Sequence, residues 1–277
     1  MLNPIPLYYI ILHQKQHMQH KQYTLWHYLL TLYFGIGFPL MVLLIIPIVL
    51  LNDALYGQYK GWNRNFKVFK KVFQVGYFML GIRHKVIYEY NHDTAQKYVF
   101  VLNHSSFFDI PEVLLGINQP IRVLGKSGPN KIPVFGYYYR KSTVMVDRTS
   151  DESRLKSIRL LKHYLQQGIS IVVFPEGTFN NTTSPLKAMY SGAFKIAIET
   201  QTNIKPIILL DTYNRLHQSG IGLENGPSRM VYLQEVSVQG LQPKDAHTLQ
   251  QQVEHIMANA LIRYKASWVH TQPSLIL

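Results

Sequence analysis

One stretch without a single charged side chain, residues 28–51, constrains this chain more than any other feature. At 1.5 Å per helical residue, its 24 residues are long enough to cross the roughly 30 Å hydrocarbon core of a bilayer. A secretory signal is disfavoured because the apolar run is too long and no small-residue cleavage site follows it. Two glycines, Pro39 and Pro47 are expected to kink such a helix, so a membrane-spanning helix and a re-entrant helix both remain open.

A second helix is predicted from Trp62 to Gly81. Phe66, Phe69 and Phe73 recur there at spacings of three and four, with basic residues among them. Aromatic and basic residues in one helix are typical of a helix that lies on an anionic membrane surface. A surface helix packed on the rest of the protein is the alternative.

Positive charge is concentrated near the N-terminus. The chain has a net charge of +13, and residues 1–85 contain nine Lys and Arg but one acid, Asp53. If the apolar helix spans a membrane, this basic excess places the residues after it on the cytoplasmic side. We therefore predict a membrane-anchoring helical region with a polar N-terminal tail over residues 1–82 and a separate domain over 83–277. Nucleic acid is not expected as a partner, since the charge surrounds an apolar run and no nucleic-acid motif is visible.

From Gly81 onward, short apolar runs alternate with helical stretches, which predicts an α/β fold with a largely parallel mixed sheet flanked by helices. The absence of cysteine excludes disulfides, cysteine-ligated metals and a cysteine nucleophile. The predicted strands are 85–90, Tyr98–Leu102, Ile121–Leu124, Thr143–Val146, Ile169–Phe174, Ile204–Leu210 and Met230–Val236, and the predicted helices are 107–117, 151–167, 188–201 and 244–266.

The segment N-H-S-S-F-F-D, residues 103–109, directly follows one of these strands. His104 therefore lies at the carboxyl end of a strand, where α/β proteins usually bind ligands. Asp109, in the first turn of the next helix, can fold back to orient the imidazole as a general base. No protein nucleophile accompanies this pair, so the nucleophile would be a substrate hydroxyl. The spacing alone also fits a helix cap or a core hydrogen bond.

Two further segments end predicted strands. In F-P-E-G-T, Pro175 stops the strand, Glu176 places a carboxylate at its end, and Gly177 lets the backbone approach a ligand closely. In V-M-V-D-R, Arg148 stands just before a helix N-terminus, an arrangement suited to a phosphate. A local salt bridge between Asp147 and Arg148 is the alternative.

In this order, the three segments resemble the 1-acylglycerol-3-phosphate (lysophosphatidate) acyltransferases, a family of glycerolipid acyltransferases, from roughly Gly81 to Leu210. The resemblance implies a membrane-bound enzyme that transfers a fatty acyl group from acyl-coenzyme A or acyl carrier protein to the free hydroxyl of 1-acylglycerol-3-phosphate, giving phosphatidic acid. His104 would be the general base and Asp109 would orient it. Such direct transfer needs no metal and no cofactor, and the expected location is the cytoplasmic face of the inner cell membrane.

The resemblance also implies a set of substrate-binding residues. Arg148 and Lys126 would hold the acceptor phosphate, and Glu176 would hold the glycerol end. Backbone N–H groups near Gly177 and Thr178 would bind the oxyanion of the tetrahedral intermediate.

The sequence departs from the family pattern where phosphate is recognised. Phe179 stands where family members often have arginine. Many members also have a basic pair before the helix that starts G-A-F, where this chain has Met189, Tyr190 and Ser191, with Lys187 as the nearest cation. Two alternatives therefore stay open: the same acyl transfer onto another lysolipid or an aminolipid, and a non-catalytic membrane-surface binding protein.

Overall fold

The structure is a computed structural model that describes residues 23–131, 135–147, 149–216 and 221–269. The polar tail predicted at the N-terminus lies mostly outside the described residues.

Seven strands of the described residues form one sheet. The strands are β1 (Ile82–Tyr88), β2 (Val99–Leu102), β3 (Ile121–Lys126), β4 (Thr143–Val146), β5 (Ser170–Val173), β6 (Ile204–Leu209) and β7 (Gly226–Tyr232). Their order in the sheet is β1-β7-β6-β2-β5-β3-β4. Strands β2 to β6 run parallel, whereas β7 is antiparallel to β6, and β1 is parallel to β7. The predicted α/β fold with a largely parallel mixed sheet is confirmed.

Helices cover both faces of the sheet. Successive residues of β2 alternate between the faces, so Val99 and Val101 join one apolar core while Phe100 and Leu102 join the other. The helices are α1 (Leu25–Met79), α2 (Asp109–Gly116), α3 (Phe135–Ser142), α4 (Asp151–Gln166), α5 (Gly192–Glu199), α6 (Thr212–Arg215) and α7 (Ala246–Arg263). Helices α4, α5 and α7 pack against the first face and α2 against the second.

Helix α1 is a hairpin of two arms. Its backbone leaves the helical conformation at Gly57, with φ 70° and ψ 176°, a region that glycine adopts readily. The arms pack side by side through the stacked rings of Phe38 and Phe73, whose centroids lie 5.6 Å apart. Pro39 and Pro47 both lie inside the first arm, so the break at Gly57 falls outside the residues at which a kink was expected.

Both ends of the first arm contact the α/β part of the protein. Near its start, Thr31 Oγ1 accepts hydrogen bonds from the backbone N–H groups of Gly222 (3.1 Å) and Leu223 (2.9 Å). Near its end, Asp53 Oδ2 accepts a 2.6 Å hydrogen bond from the hydroxyl of Tyr137 in α3. The stretch from Thr31 to Asp53 is about 33 Å long at 1.5 Å per residue. The first arm therefore lies along the protein instead of projecting away from it.

Helix α3 was not predicted from the sequence. Its segment contains one glycine and three consecutive tyrosines, which favour a helix weakly. The ring of Tyr138 packs edge-on against Phe69 of α1 at 4.7 Å, and Tyr137 bonds to Asp53. Contacts with α1, which no local pattern reveals, help hold this segment helical.

Candidate active site

The sequence-predicted residues that the structure describes gather at one edge of the sheet. His104 follows β2, Glu176 follows the neighbouring β5, Lys126 ends β3, and Asp147 follows β4. Because these strands are parallel, their carboxyl ends face the same way. At about 4.8 Å per strand, the end of β3 lies about 10 Å across the sheet from the end of β2. The site thus runs from a central histidine to a cationic side chain near the outer strand.

His104 and Asp109 form the predicted pair. Asp109 Oδ2 lies 2.7 Å from His104 Nδ1 and also accepts hydrogen bonds from the backbone N–H groups of Ser105 (2.7 Å) and Ser106 (3.0 Å). A carboxylate only accepts, so Nδ1 carries the proton of the neutral imidazole and Nε2 is left unprotonated. Asp109 is fully buried, whereas the side chain of His104 is 20% exposed. The pair thus has a fixed orientation and an accessible basic nitrogen.

Buried polar side chains hold the backbone of this segment. Asn103 accepts from the N–H of Leu209 at 2.8 Å and donates to its carbonyl at 3.0 Å, which fixes the end of β2 against β6. Ser106 Oγ donates to the carbonyl of Leu216 at 2.6 Å and accepts from the N–H of Phe108 at 3.1 Å. Asn103 and Ser106 are 1% and 0% exposed. Sequence reasoning missed the role of Asn103, although an Asn directly before a histidine at the end of a strand is the available signal.

Two phenylalanines contact the imidazole, and a third packs against one of them. Phe174 stacks on His104 at 4.3 Å between ring centroids, and Phe179 meets it edge-on at 4.4 Å. Phe107 in turn contacts Phe179 at 4.9 Å and is 55% exposed. The residue that departs from the family pattern therefore builds an apolar wall beside the histidine.

Glu176 joins two backbone segments and does not face the site. Its Oε1 accepts a 2.8 Å hydrogen bond from the N–H of His104, and its Oε2 accepts one of 2.8 Å from the N–H of Lys187. Burial raises the pKa of the Glu176 carboxyl from 4.5 to about 7, although the two backbone hydrogen bonds act in the opposite direction. Both oxygens are thus engaged and the residue is 3% exposed, which differs from the expected contact with glycerol.

The turn after Glu176 distinguishes the two backbone N–H groups, of Gly177 and Thr178, that were expected to bind the oxyanion. Gly177 has a φ of 73°, and its N–H donates to the carbonyl of Phe174 at 3.0 Å. That N–H is therefore engaged within the turn. The N–H of Thr178, the next residue, has no acceptor among the described residues.

The predicted phosphate ligands are only partly described. Arg148 lies outside the described residues, so neither its predicted phosphate contact nor a salt bridge to Asp147 can be placed. Asp147 Oδ1 accepts from the hydroxyl of Thr149 at 2.7 Å, and this bond, with a smaller effect from the charge of Lys126, lowers the pKa of Asp147. Lys126 itself is exposed.

A second histidine–carboxylate pair lies behind the first and was missed in the sequence. His84 Nδ1, on β1, lies 2.9 Å from Glu112 Oε2 and 3.1 Å from Oε1. Glu112 is fully buried on α2, one turn after Asp109. The two residues are 28 positions apart, so no local motif could have joined them. No group of His, Asp and Glu in the described residues could hold a metal ion.

The sequence of this chain is similar to a family model and to several known proteins. Residues 83–210 match the family model named Acyltransferase. The human 1-acyl-sn-glycerol-3-phosphate acyltransferase alpha is 30% identical over 187 residues, which are 65% of this chain and 64% of that protein. The lyso-ornithine lipid O-acyltransferase of Pseudomonas aeruginosa is 33% identical over 115 residues, 41% of this chain and 43% of that protein.

These matches span about a third to two thirds of the length of the first curated relatives. The crystal structure of the 1-acyl-sn-glycerophosphate acyltransferase PlsC from Thermotoga maritima shares the fold. It superimposes with a TM-score of 0.72 at 23% identity and covers 87% of this chain and 97% of that one. Residues 83–210 therefore resemble the acyltransferase family in sequence, and the predicted resemblance to the 1-acylglycerol-3-phosphate acyltransferases is confirmed.

Proposed function

We propose that this protein is a membrane-associated O-acyltransferase that moves a fatty acyl group from an acyl thioester to the free hydroxyl of a lysolipid. Lysophosphatidate is the leading acceptor, and phosphatidic acid would be the product. The observation that carries the proposal is the geometry of His104, whose Nδ1 is fixed by the buried Asp109 while its Nε2 stays accessible.

In the proposed reaction, Nε2 of His104 takes the proton of the acceptor hydroxyl as its oxygen attacks the thioester carbonyl. Asp109 stabilises the imidazolium that forms. When the tetrahedral intermediate collapses, the carbon–sulfur bond breaks, and the imidazolium returns its proton to the leaving thiolate. The new ester and a free thiol are the products, so the step needs no metal and no cofactor.

The oxyanion of the intermediate needs hydrogen-bond donors that are already in position. We assign this role to the N–H of Thr178, since the N–H of Gly177 is engaged by Phe174. Lys126 and Arg148 remain the proposed ligands of the acceptor phosphate. Glu176 keeps a role in the site as the residue that positions the backbone of His104.

We further propose that the protein lies on one face of the membrane, on the cytoplasmic side. The helix over Leu25–Gly57 is long and apolar enough to span a bilayer, but Thr31 and Asp53, at opposite ends of that stretch, both bond to the α/β part. A spanning helix would place these two contacts on opposite sides of the membrane, which one folded domain cannot satisfy. The division of the chain near residue 82 stays a prediction, because Leu80 and Ile82 share one buried cluster with Phe108 of the catalytic segment.

An aminolipid acceptor is the second candidate. Phe179 fills the place beside His104 where the family often has a phosphate-binding arginine, and the lyso-ornithine lipid O-acyltransferase is among the similar proteins. A non-catalytic binding protein is less well supported, since it would have no need of an oriented His104.

Purified full-length protein in detergent would be offered radiolabelled acyl-coenzyme A or acyl carrier protein, together with lysophosphatidate or lyso-ornithine lipid. We expect diacylated product from lysophosphatidate and none from His104→Ala. Product from the lyso-ornithine lipid alone would identify an aminolipid, and not lysophosphatidate, as the acceptor. No product from either acceptor with either donor would contradict the proposal.

Sedimentation with anionic liposomes tests the membrane face. Phe78 is 86% exposed and Leu44 is 76% exposed, both on α1, and each apolar side chain that enters the membrane contributes roughly 1.5–3 kcal/mol. We expect Leu44→Asp and Phe78→Asp to weaken sedimentation at least tenfold. Leu155→Asp on α4, also exposed, is the matched control and should sediment normally. Equal sedimentation of all the variants would place the membrane contact elsewhere.

A further inference from the structure

We infer that Lys187 binds the phosphate of the acceptor, in the place of the arginine that this chain lacks at Phe179. The inference rests on the proposed function and adds a substrate-binding residue to it. Lys187 lies in the loop between β5 and α5, where its Nζ donates to Thr178 Oγ1 at 2.8 Å and to the carbonyl of Phe179 at 3.4 Å. The ammonium group therefore stands beside Phe179, the position at which family members often have arginine.

Hydrogen bonds of two buried side chains, Glu176 and Asn180, hold the loop that carries Lys187. Glu176 accepts the N–H of Lys187 on one carboxylate oxygen and the N–H of His104 on the other, both at 2.8 Å. Asn180, 2% exposed, donates its own N–H to the carbonyl of His104 and its side-chain amide to the carbonyl of Ser184 at 3.0 Å. Glu176 and the N–H of Asn180 connect the loop to His104, and the amide of Asn180 holds the loop together, so the residues that position His104 also position Lys187.

Lys187 lies near the buried Glu176, and its charge contributes to lowering the pKa of that carboxyl. Its hydrogen-bond partners are a hydroxyl and a carbonyl, and it forms no ion pair with a carboxylate of the described residues. It is the one basic residue in the loop sequence from Phe174 to Lys187. The ring of Phe179 is turned toward His104 and Phe107 and contributes no charge.

An ammonium ion with a free donor, beside a hydroxyl group, fits a phosphate group. Thr178 supplies that hydroxyl, while its backbone N–H stays assigned to the oxyanion. Phosphate occurs in the lysophosphatidate acceptor and also in a coenzyme A donor. We assign the contact to the acceptor, because Lys187 shares the Glu176 carboxylate with His104, whose Nε2 must meet the acceptor hydroxyl.

The test compares Lys187→Gln, Lys187→Arg and the double variant Lys187→Gln with Phe179→Arg, all in the full chain. We expect Lys187→Gln to lower kcat/KM for lysophosphatidate at least roughly tenfold through a higher KM, with the KM for the acyl donor unchanged. Lys187→Arg should retain most of the activity. The added arginine should restore acceptor binding in the double variant. Lys195→Gln, an exposed lysine on the neighbouring α5, is the matched control and should behave as the unmodified enzyme.

Three outcomes would overturn the inference: an unchanged KM for lysophosphatidate, a raised KM for the donor alone, or equal losses in kcat for Lys187→Gln and Lys187→Arg. The last would show that Lys187 only ties the loop together. Equilibrium dialysis with labelled glycerol 3-phosphate keeps the test independent of turnover. If the unmodified protein acylates no lysolipid, the proposed function fails. Weaker binding of glycerol 3-phosphate by Lys187→Gln than by the unmodified protein would still support the phosphate site. Equal binding by the two proteins would refute it.

Discussion

The two histidine–carboxylate pairs of this protein look alike in isolation and differ in their surroundings. His104 and His84 are 20% and 21% exposed, and Asp109 and Glu112 are both fully buried. Both carboxylates lie on α2, one helical turn apart. Exposure and pairing distance therefore cannot distinguish a catalytic pair from a structural one.

The differences lie in the donors around the carboxylate and in the second nitrogen of each ring. Asp109 accepts two backbone N–H groups besides its histidine, whereas Glu112 accepts His84 on both oxygens. Burial raises the pKa of the Glu112 carboxyl, with His84 partly opposing this. The Nε2 of His84 is buried and has no partner among the described residues, while that of His104 is accessible. A free basic nitrogen at the end of a central strand indicates the catalytic pair.

The sharpest test exchanges each histidine for alanine. His104→Ala should lower acyl transfer by roughly 10²–10⁴-fold, because the general base is lost. His84→Ala should leave kcat within roughly threefold and lower the free energy of unfolding by about 1–3 kcal/mol, because Glu112 loses its partner. Turnover with lysophosphatidate and urea unfolding measure the two effects. A larger loss of turnover in His84→Ala would reverse our assignment of the pairs.

Replacing each carboxylate by its amide gives the next largest contrast. Asp109→Asn should cost roughly 10²–10⁴-fold in kcat, since an amide can stabilise the wrong tautomer of His104 and carries no charge for the imidazolium. Glu112→Gln should retain activity within roughly threefold, because its amide oxygen still accepts from His84. Circular dichroism of both variants checks that they fold. Similar kinetic losses in the two variants would mean that α2 acts as one unit.

Glu176, which holds the backbone of the catalytic pair, should show an intermediate effect. Glu176→Gln leaves one of the two N–H groups, of His104 or Lys187, without an acceptor, at a cost of about 1–3 kcal/mol. We expect kcat/KM to fall roughly tenfold, divided between kcat and the KM for the acceptor. Unaltered kinetics would show that the loop keeps its position without the carboxylate.

The pH dependence of stability gives the smallest expected effect. Because the pKa of Glu176 is about 7 in the fold and 4.5 ordinarily, the folded protein retains a proton that the unfolded chain releases. The stability contributed by this group is fully present below pH 4.5 and is lost as the pH rises through about 7. Urea unfolding between pH 4.5 and 8 should show a flatter dependence for Glu176→Gln than for the unmodified protein. An identical slope would contradict the raised pKa.

The sequence alone determined much of the fold and one of the two pairs. Alternating apolar and amphipathic segments predicted the parallel sheet, since strand and helix periodicities are local properties. His104 and Asp109 were found because they are five residues apart and directly follow a strand. The start of α4 is also a local feature: Ser150 stands directly before Asp151 and Glu152, and its hydroxyl accepts from the N–H of Ser153 at 3.2 Å.

Other features were decided by the tertiary structure alone. Helix α3 depends on contacts of Tyr137 and Tyr138 with α1, nearly 70 or more positions away in the chain. The pairing of His84 with Glu112 arises because β1 and α2 meet in the fold, and no spacing encodes it. The sequence determines which local structures and which chemical groups are available. Only the packing of distant segments decides which groups meet, which are buried and which retain a free nitrogen.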